Sequence, residues 1–188
     1  MRKEFKNMIF TPLPVLMIGT YDEHNVPNVM NAAWGGQIDA NQFVISLSKH
    51  KTTDNLLLKK EFTLSFATAK TVNEADYFGI RSGKKVDKVA FAGFHHEKAP
   101  DVDAPVFEKF PLCLECRVLE MKPDGDGYLL YGEAIKTLAD ESILTDGKAD
   151  LGKLGLIMFD SAMNVYRVIG EPCGKAFRIG LDWEKSRG

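Results

Sequence analysis

The feature that most narrows the folds open to this chain is a succession of short strand-like runs, each closed by turn-forming residues. Val15 to Tyr21 is apolar and β-branched enough for a buried strand, and Asp22-Glu23-His24-Asn25 then supplies a turn. Val26 to Trp34 reads as the return strand, with Pro27 near its start, where a missing N–H is tolerated. Phe43 to Ser48 is a third strand. Phe62 to Thr68 is a fourth, in which Phe62, Leu64 and Phe66 share one face and Thr63, Ser65 and Ala67 the other. Leu112 to Met121 and Tyr128 to Leu138 flank Pro123-Asp124-Gly125-Asp126-Gly127, a hairpin signal, and Gly155 to Phe159 and Asn164 to Ile169 add two short strands. Helical patterns are few: Thr52 to Lys60, with Thr or Asp as the cap, then Val72 to Phe78 and Val86 to Phe91 with Gly79 and Gly83 in the linker between them. Many short strands with few helices predict a mainly β fold closed into a barrel, not a parallel sheet with crossover helices.

Length and composition set the remaining bounds. The 188 residues suffice for one domain, expected to span 1–188, since no repeat, low-complexity segment or linker divides them. Hydrophobic residues at 45% and charged residues at 27% are ordinary for a folded chain. A formal charge of -2 argues against nucleic acid as the main partner, because phosphate contacts demand a basic excess. No run approaches the ~20 apolar residues that cross a bilayer, and Pro12 and Pro14 interrupt the N-terminus before it could serve as a signal peptide. Three cysteines, an odd number, suit a reducing compartment better than a disulfide framework, so the expectation is a cytoplasmic protein.

One segment has the composition of an anion site. In Ser46-Leu47-Ser48-Lys49-His50-Lys51-Thr52-Thr53-Asp54-Asn55, cationic side chains and hydroxyls gather at a strand-to-helix junction. Unpaired N–H groups at a helix start attract anions, lysines add charge, and threonine hydroxyls reach phosphate oxygens. The alternative is a solvated polar turn with an ordinary threonine cap.

Other motifs lead nowhere chemically. Cys113-Leu114-Glu115-Cys116 has the C-x-x-C spacing, but on a strand positions i and i+3 point to opposite faces, so the two thiols neither pair nor chelate one metal. They read as packing residues, with Cys116 on the face of Leu112 and Leu114. Gly79-Ile-Arg-Ser-Gly83-Lys84 is one residue short of a phosphate-binding P-loop and follows no strand. It reads as a solvated charge run, or as a loop that brings Arg81, Lys84 and Lys85 to a ligand. The four histidines, His24, His50, His95 and His96, fall in turns or loops, and no nucleophile elbow accompanies them.

Four segments together resemble the flavin reductase-like, FMN-binding split-barrel family, and within it the flavoredoxin branch. They are Gly19 to Glu23 leading through Pro27 to Trp34; Phe43 to Ser48 leading into Lys49 to Asn55; Phe62 to Phe66; and Gly125 to Leu129 through Gly132-Glu133. The resemblance covers about Pro14 to Gly170 and implies a split β-barrel, usually a homodimer, with FMN in a groove near the subunit interface. Carried over residue by residue, Asn31, Ala32, Ala33 and Trp34 run beside the flavin ring, and Ser46, Leu47 and Ser48 line the ribityl chain. Lys49, Lys51, Thr52 and Thr53 hold the phosphate, with Asn55 in support.

The chain departs from the family's pattern in two places. Ala40-Asn41-Gln42 stands where many members have a Pro-Pro pair, and Gly125-Asp126-Gly127 stands where reductases of the family often have Gly-Asp-His, a histidine linked to nicotinamide use. The expected function is therefore that of an FMN-binding oxidoreductase of flavoredoxin type that carries electrons on its cofactor. The alternatives are a flavin reductase that takes electrons from NADPH or NADH, and a non-catalytic flavin-binding barrel.

Overall fold

The computed structural model describes residues 2–6 and 8–187. Its strands are β1 (Leu13–Pro14), β2 (Leu16–Tyr21), β3 (Pro27–Ala32), β4 (Gly35–Gln37), β5 (Gln42–Ser48), β6 (Glu61–Phe66), β7 (His96–Lys98), β8 (Pro105–Phe107), β9 (Leu112–Asp124), β10 (Gly127–Ala139), β11 (Leu144–Thr145), β12 (Lys148–Ala149), β13 (Ile157–Asp160) and β14 (Val165–Val168). The helices are α1 (Lys51–Lys59), α2 (Val72–Ile80), α3 (Lys88–Ala92), α4 (Leu151–Leu154) and α5 (Ile179–Lys185).

Seven strands form one antiparallel sheet in the order β3-β2-β6-β9-β10-β5-β4. The two ends of that order, β3 and β4, are consecutive in the chain and joined only by Ala33 and Trp34. So short a link brings the outer edges of the sheet together and curls it into a barrel. Closure is incomplete. β4 pairs with β5 only at Phe43 to Ile45, while Ser46 donates its N–H to the Trp34 carbonyl at 2.8 Å. Beyond that point β3 and β5 are not ladder partners, and a split opens between them. The expected split barrel, mainly β with short helices, is the observed architecture.

Alternation along the strands builds two cores. Leu16, Ile18, Met30, Phe43, Ile45, Phe62, Leu64, Cys116 and Leu130 point into the barrel, with Leu56 of α1 closing one end. Met17, Val29 and Ala67 point outward and meet Ala75 and Phe78 of α2, Val89 of α3, and Phe94, Phe107, Phe110 and Ile157. Because both of its faces are covered, β2 is buried along its whole length. The two cysteines of β9 are both buried; Cys116 packs inside the barrel, and burial pushes both thiols above the ordinary range.

Several local expectations need correction. The hairpin turn between β9 and β10 is only Gly125-Asp126, with Gly125 at φ +52, so Pro123 lies within β9 opposite Tyr128. Proline is tolerated there because β6 pairs with β9 only as far as Arg117, leaving the other edge of β9 without a partner. Gly79 lies inside α2, not in a linker, and His96 lies in β7, not in a loop. The cap of α1 is His50. Thr53 sits one turn in, where its hydroxyl accepts from the His50 N–H at 2.8 Å and donates to the His50 carbonyl at 2.7 Å.

Candidate functional site

The split between β3 and β5 is a groove of about 260 Å³. Its floor is Met30, Asn31, Ala32, Ala33 and Trp34 on one side and Ser46, Leu47 and Ser48 on the other. Beyond the Ser46 N–H, which is taken by the Trp34 carbonyl, β5 is paired through Ser48 by β10 alone, so backbone polar groups on its other edge face the groove. Phe159 and Tyr166, from the β13–β14 hairpin, form one wall. Trp34, Phe159 and Tyr166 make an aromatic row with ring centroids 6.3 and 6.0 Å apart. Trp34 remains 63% exposed, which leaves its ring available to a planar ligand.

Past Met30, Asn31, His50 and Gly79, which line both, the groove narrows into a recess of about 30 Å³ that is also bounded by Asn28, Lys51, Thr52, Arg81 and Lys88. The recess adjoins a shallower basic pocket of about 220 Å³ that includes Lys51, Lys84, Lys85 and Lys88. Thr52 is buried, and its hydroxyl accepts from the Asn28 amide at 2.7 Å. That contact leaves the hydroxyl proton for another acceptor.

Lys88 is the most unusual group of the site. It is 4% exposed, and its ammonium donates to the Phe78 carbonyl at 2.8 Å but meets no carboxylate among the described residues. Burial pulls its amine down to about 8. Burial, reinforced by the charges of Lys88 and Lys84, likewise holds the His50 imidazole below its usual range, so it is neutral near pH 7. The surface lysines nearby are already paired: Lys51 with Asp22 at 2.9 Å and Lys84 with Asp54 at 2.6 Å. The positive charge left without a carboxylate partner among the described residues is therefore that of Lys88 and Arg81 at the recess and of Lys85 in the adjoining pocket.

The residues expected to form the site divide three ways. Asn31, Ala32, Ala33, Trp34, Ser46, Leu47 and Ser48 line the groove, and Lys51 and Thr52 line the recess. Lys49 is exposed and borders neither. Thr53 is committed to the cap of α1, and Asn55 turns into the barrel end, where its amide donates to the Thr20 hydroxyl at 2.9 Å. Sequence reasoning missed Asn28, Phe159, Tyr166 and Lys88, and raised Arg81 only as part of a loop. Lys88 sits in an unremarkable mixed run, and Tyr166 arrives from more than a hundred residues downstream of β5, so neither carried a local signal.

A larger cavity, about 610 Å³, opens at the far end of the barrel between Leu16, Phe43, Ile45, Leu64, Phe66 and Leu114. Its one lysine, Lys136, is paired with Asp101 at 2.7 Å, so that cavity offers an anion little, and the smaller polar groove is the better candidate. Among the described residues no cluster of His, Cys, Asp and Glu could hold a metal ion, and no helix is long and apolar enough to cross a membrane.

Residues 8–163 match the model of the flavin reductase like domain. Among solved structures, the flavoredoxin of Desulfovibrio vulgaris (Miyazaki F) superposes with a TM-score of 0.90 at 32% identity, covering 96% of this chain and 100% of that one. A flavoredoxin from Methanosarcina acetivorans gives 0.88 at 28% identity, covering 97% and 99%. An FMN-binding protein from Thermus thermophilus shares the fold, with a TM-score of 0.77 at 22% identity over 93% of this chain and 97% of that one. No curated protein sequence matches the chain.

Proposed function

Because the chain belongs to the flavin reductase-like domain family, we propose that its groove holds FMN and that the protein carries electrons on it in the manner of a flavoredoxin. The observation that carries this reading is Lys88, a buried ammonium that meets no carboxylate among the described residues, in the recess adjoining a groove walled by aromatic rings. A ligand with a flat ring at one end and a dianionic phosphate at the other satisfies both. Lys88, Arg81 and the Thr52 hydroxyl hold the phosphate, Ser46 to Ser48 follow the ribityl chain, and Asn31 to Trp34 border the ring. The bound isoalloxazine supplies the electron chemistry, while the protein binds, orients and tunes it.

Gly127 favours a carrier over a reductase that turns over NADPH or NADH. A Cβ at this position would collide with the Leu47 carbonyl oxygen, so the backbone of β10 lies too close to β5 for the histidine that reductases of the family often have. The chain is further proposed to form a homodimer. The terminal segments leave Met8, Phe10, Phe177, Ile179 and Trp183 exposed, Phe177 fully so, and a second copy would cover such apolar groups. Three free thiols suit residence in the cytoplasm.

The test is a titration of apoprotein with FMN and riboflavin, followed by flavin fluorescence. FMN should bind about 10–100-fold more tightly, the range expected for charge-assisted bonds to a phosphate. Failure to take up any flavin refutes the reading, and equal affinity for riboflavin refutes the phosphate site. Rapid NADPH or NADH oxidation with added flavin would replace the carrier by the reductase.

A further inference from the structure

The hairpin that walls the groove belongs to the sheet β1-β13-β14, in which β14 is an outer strand. β14 pairs on one side with β13, Val165 opposite Asp160 and Arg167 opposite Met158. Just past it, Ile169 donates its N–H to the Leu156 carbonyl at 2.9 Å in the same register. Bonded and non-bonded positions alternate along an antiparallel pair. Val165, Arg167 and Ile169 therefore turn their backbone groups toward β13, and Tyr166 and Val168 turn theirs to the outer edge. Among the described residues no strand or backbone group takes these up.

Neighbouring edges are blunted in ways that β14 is not. β1, β11 and β12 have 2 residues each, and the β7–β8 pair carries Glu97, Lys98 and Pro105. The outer half of β9 carries Glu120, Lys122 and Pro123. Shortness, charge and proline are the usual guards against strand-to-strand association. β14 runs Val165-Tyr166-Arg167-Val168 and leads into Ile169, and its one charge is drawn across the hairpin to Asp160 at 2.6 Å. Val165, Val168 and Ile169 are all exposed, Val168 by 57%.

A row of unpaired backbone donors and acceptors calls for an extended strand as its occupant. The segment that follows in the same chain is ill suited: Glu171-Pro172-Cys173-Gly174 contains a proline without an N–H and a glycine, and it forms no strand. We propose that the occupant is β14 of a second copy, paired antiparallel about a two-fold axis, so that the strands of both copies make one continuous sheet. An edge strand is complementary to its own copy in this arrangement, and both copies are satisfied at once. The backbone bonds set the alignment, and burial of Val165, Val168 and Ile169 supplies the affinity. This rests on the homodimer reading and gives it an interface. Because Phe159 and Tyr166 stand on the same hairpin, the aromatic wall of each groove is braced by the other copy.

The test is sedimentation of the full chain, with amide exchange as the site-specific readout. Wild type should be a dimer. Val168→Pro deletes an outward N–H but leaves the β13 ladder whole; present twice in a symmetric interface, it should weaken the dimer about 10–100-fold. Val168→Lys keeps every backbone donor, so it is expected to fold even if the proline variant does not, and its charge on the edge should weaken the dimer comparably. The Tyr166 N–H should exchange about 100-fold more slowly in the wild-type dimer than in the Val168→Lys monomer. A dimer that both variants keep at wild-type strength, or in which the Tyr166 N–H exchanges freely, overturns the β14 interface while the homodimer stands. A monomeric wild type overturns the homodimer reading itself.

Discussion

Lys88 offers the most searching test, because it should trade stability for binding. Its amine is held at about 8 by burial, against 10.5 in water. At about 1.4 kcal/mol for each tenfold change in protonation, keeping it charged near neutral pH costs about 3 kcal/mol. Water in the open groove screens part of that, leaving roughly 2 kcal/mol. Lys88→Met removes the charge and fills most of the volume, but strips the Phe78 carbonyl of its donor, a loss of about 1 kcal/mol. The net gain of roughly 1 kcal/mol should raise the Tm of the apoprotein by about 2–4 °C. The same substitution should weaken FMN about 10–100-fold, the worth of a charge-assisted bond to phosphate.

The pH dependence of stability has a definite sign. The folded-state value lies below the unfolded one, so between about 8 and 10.5 the unfolded chain binds more protons. Apoprotein stability attributable to this group therefore rises with pH across that window, and Lys88→Met abolishes the rise. FMN affinity moves the opposite way, falling as pH climbs above about 8 and the free amine loses its charge. The measurements are thermal melts of apoprotein and fluorescence titrations, both from pH 7 to 10. A Lys88→Met protein that melts lower than wild type yet binds FMN undiminished would refute the assignment.

Two further substitutions separate neighbouring roles. Thr52→Val should weaken FMN about 2–10-fold, whereas Thr53→Val should lower stability by about 1 kcal/mol through loss of the α1 cap, with the FMN affinity of the folded protein little changed. Titration and chemical denaturation of both variants check this, and the reverse pattern would return Thr53 to the phosphate site. Gly127→His should not create a reductase. Its Cβ meets the Leu47 carbonyl, and forcing β10 away from β5 should cost about 1–3 kcal/mol in denaturant melts, with NADPH oxidation unimproved.

The division between what was readable in advance and what was not follows the range of the interactions. Strand existence is local: the alternation of Phe62, Leu64 and Phe66 with Thr63 and Ser65 anticipates β6 and the two cores on its faces. The opposite facing of Cys113 and Cys116 follows from the same period of two. Ends and caps were less legible, because they depend on partners. Pro123 is admitted to β9 only because β6 stops short, and Thr53, chemically a good phosphate ligand, is turned to the helix cap by the bend at His50.

The sequence by itself determined a mainly β chain with a cationic, hydroxyl-rich junction after β5, since both are properties of neighbouring residues. Only the tertiary structure decided where a ligand could sit. The two-residue link between β3 and β4 leaves a split beside Ser46 to Ser48, and α3 and β14 then bring Lys88 to the recess and Tyr166 to the groove wall. The physical reason lies in burial. A lysine is poised to hold an anion only when the fold removes water and dictates which partners remain.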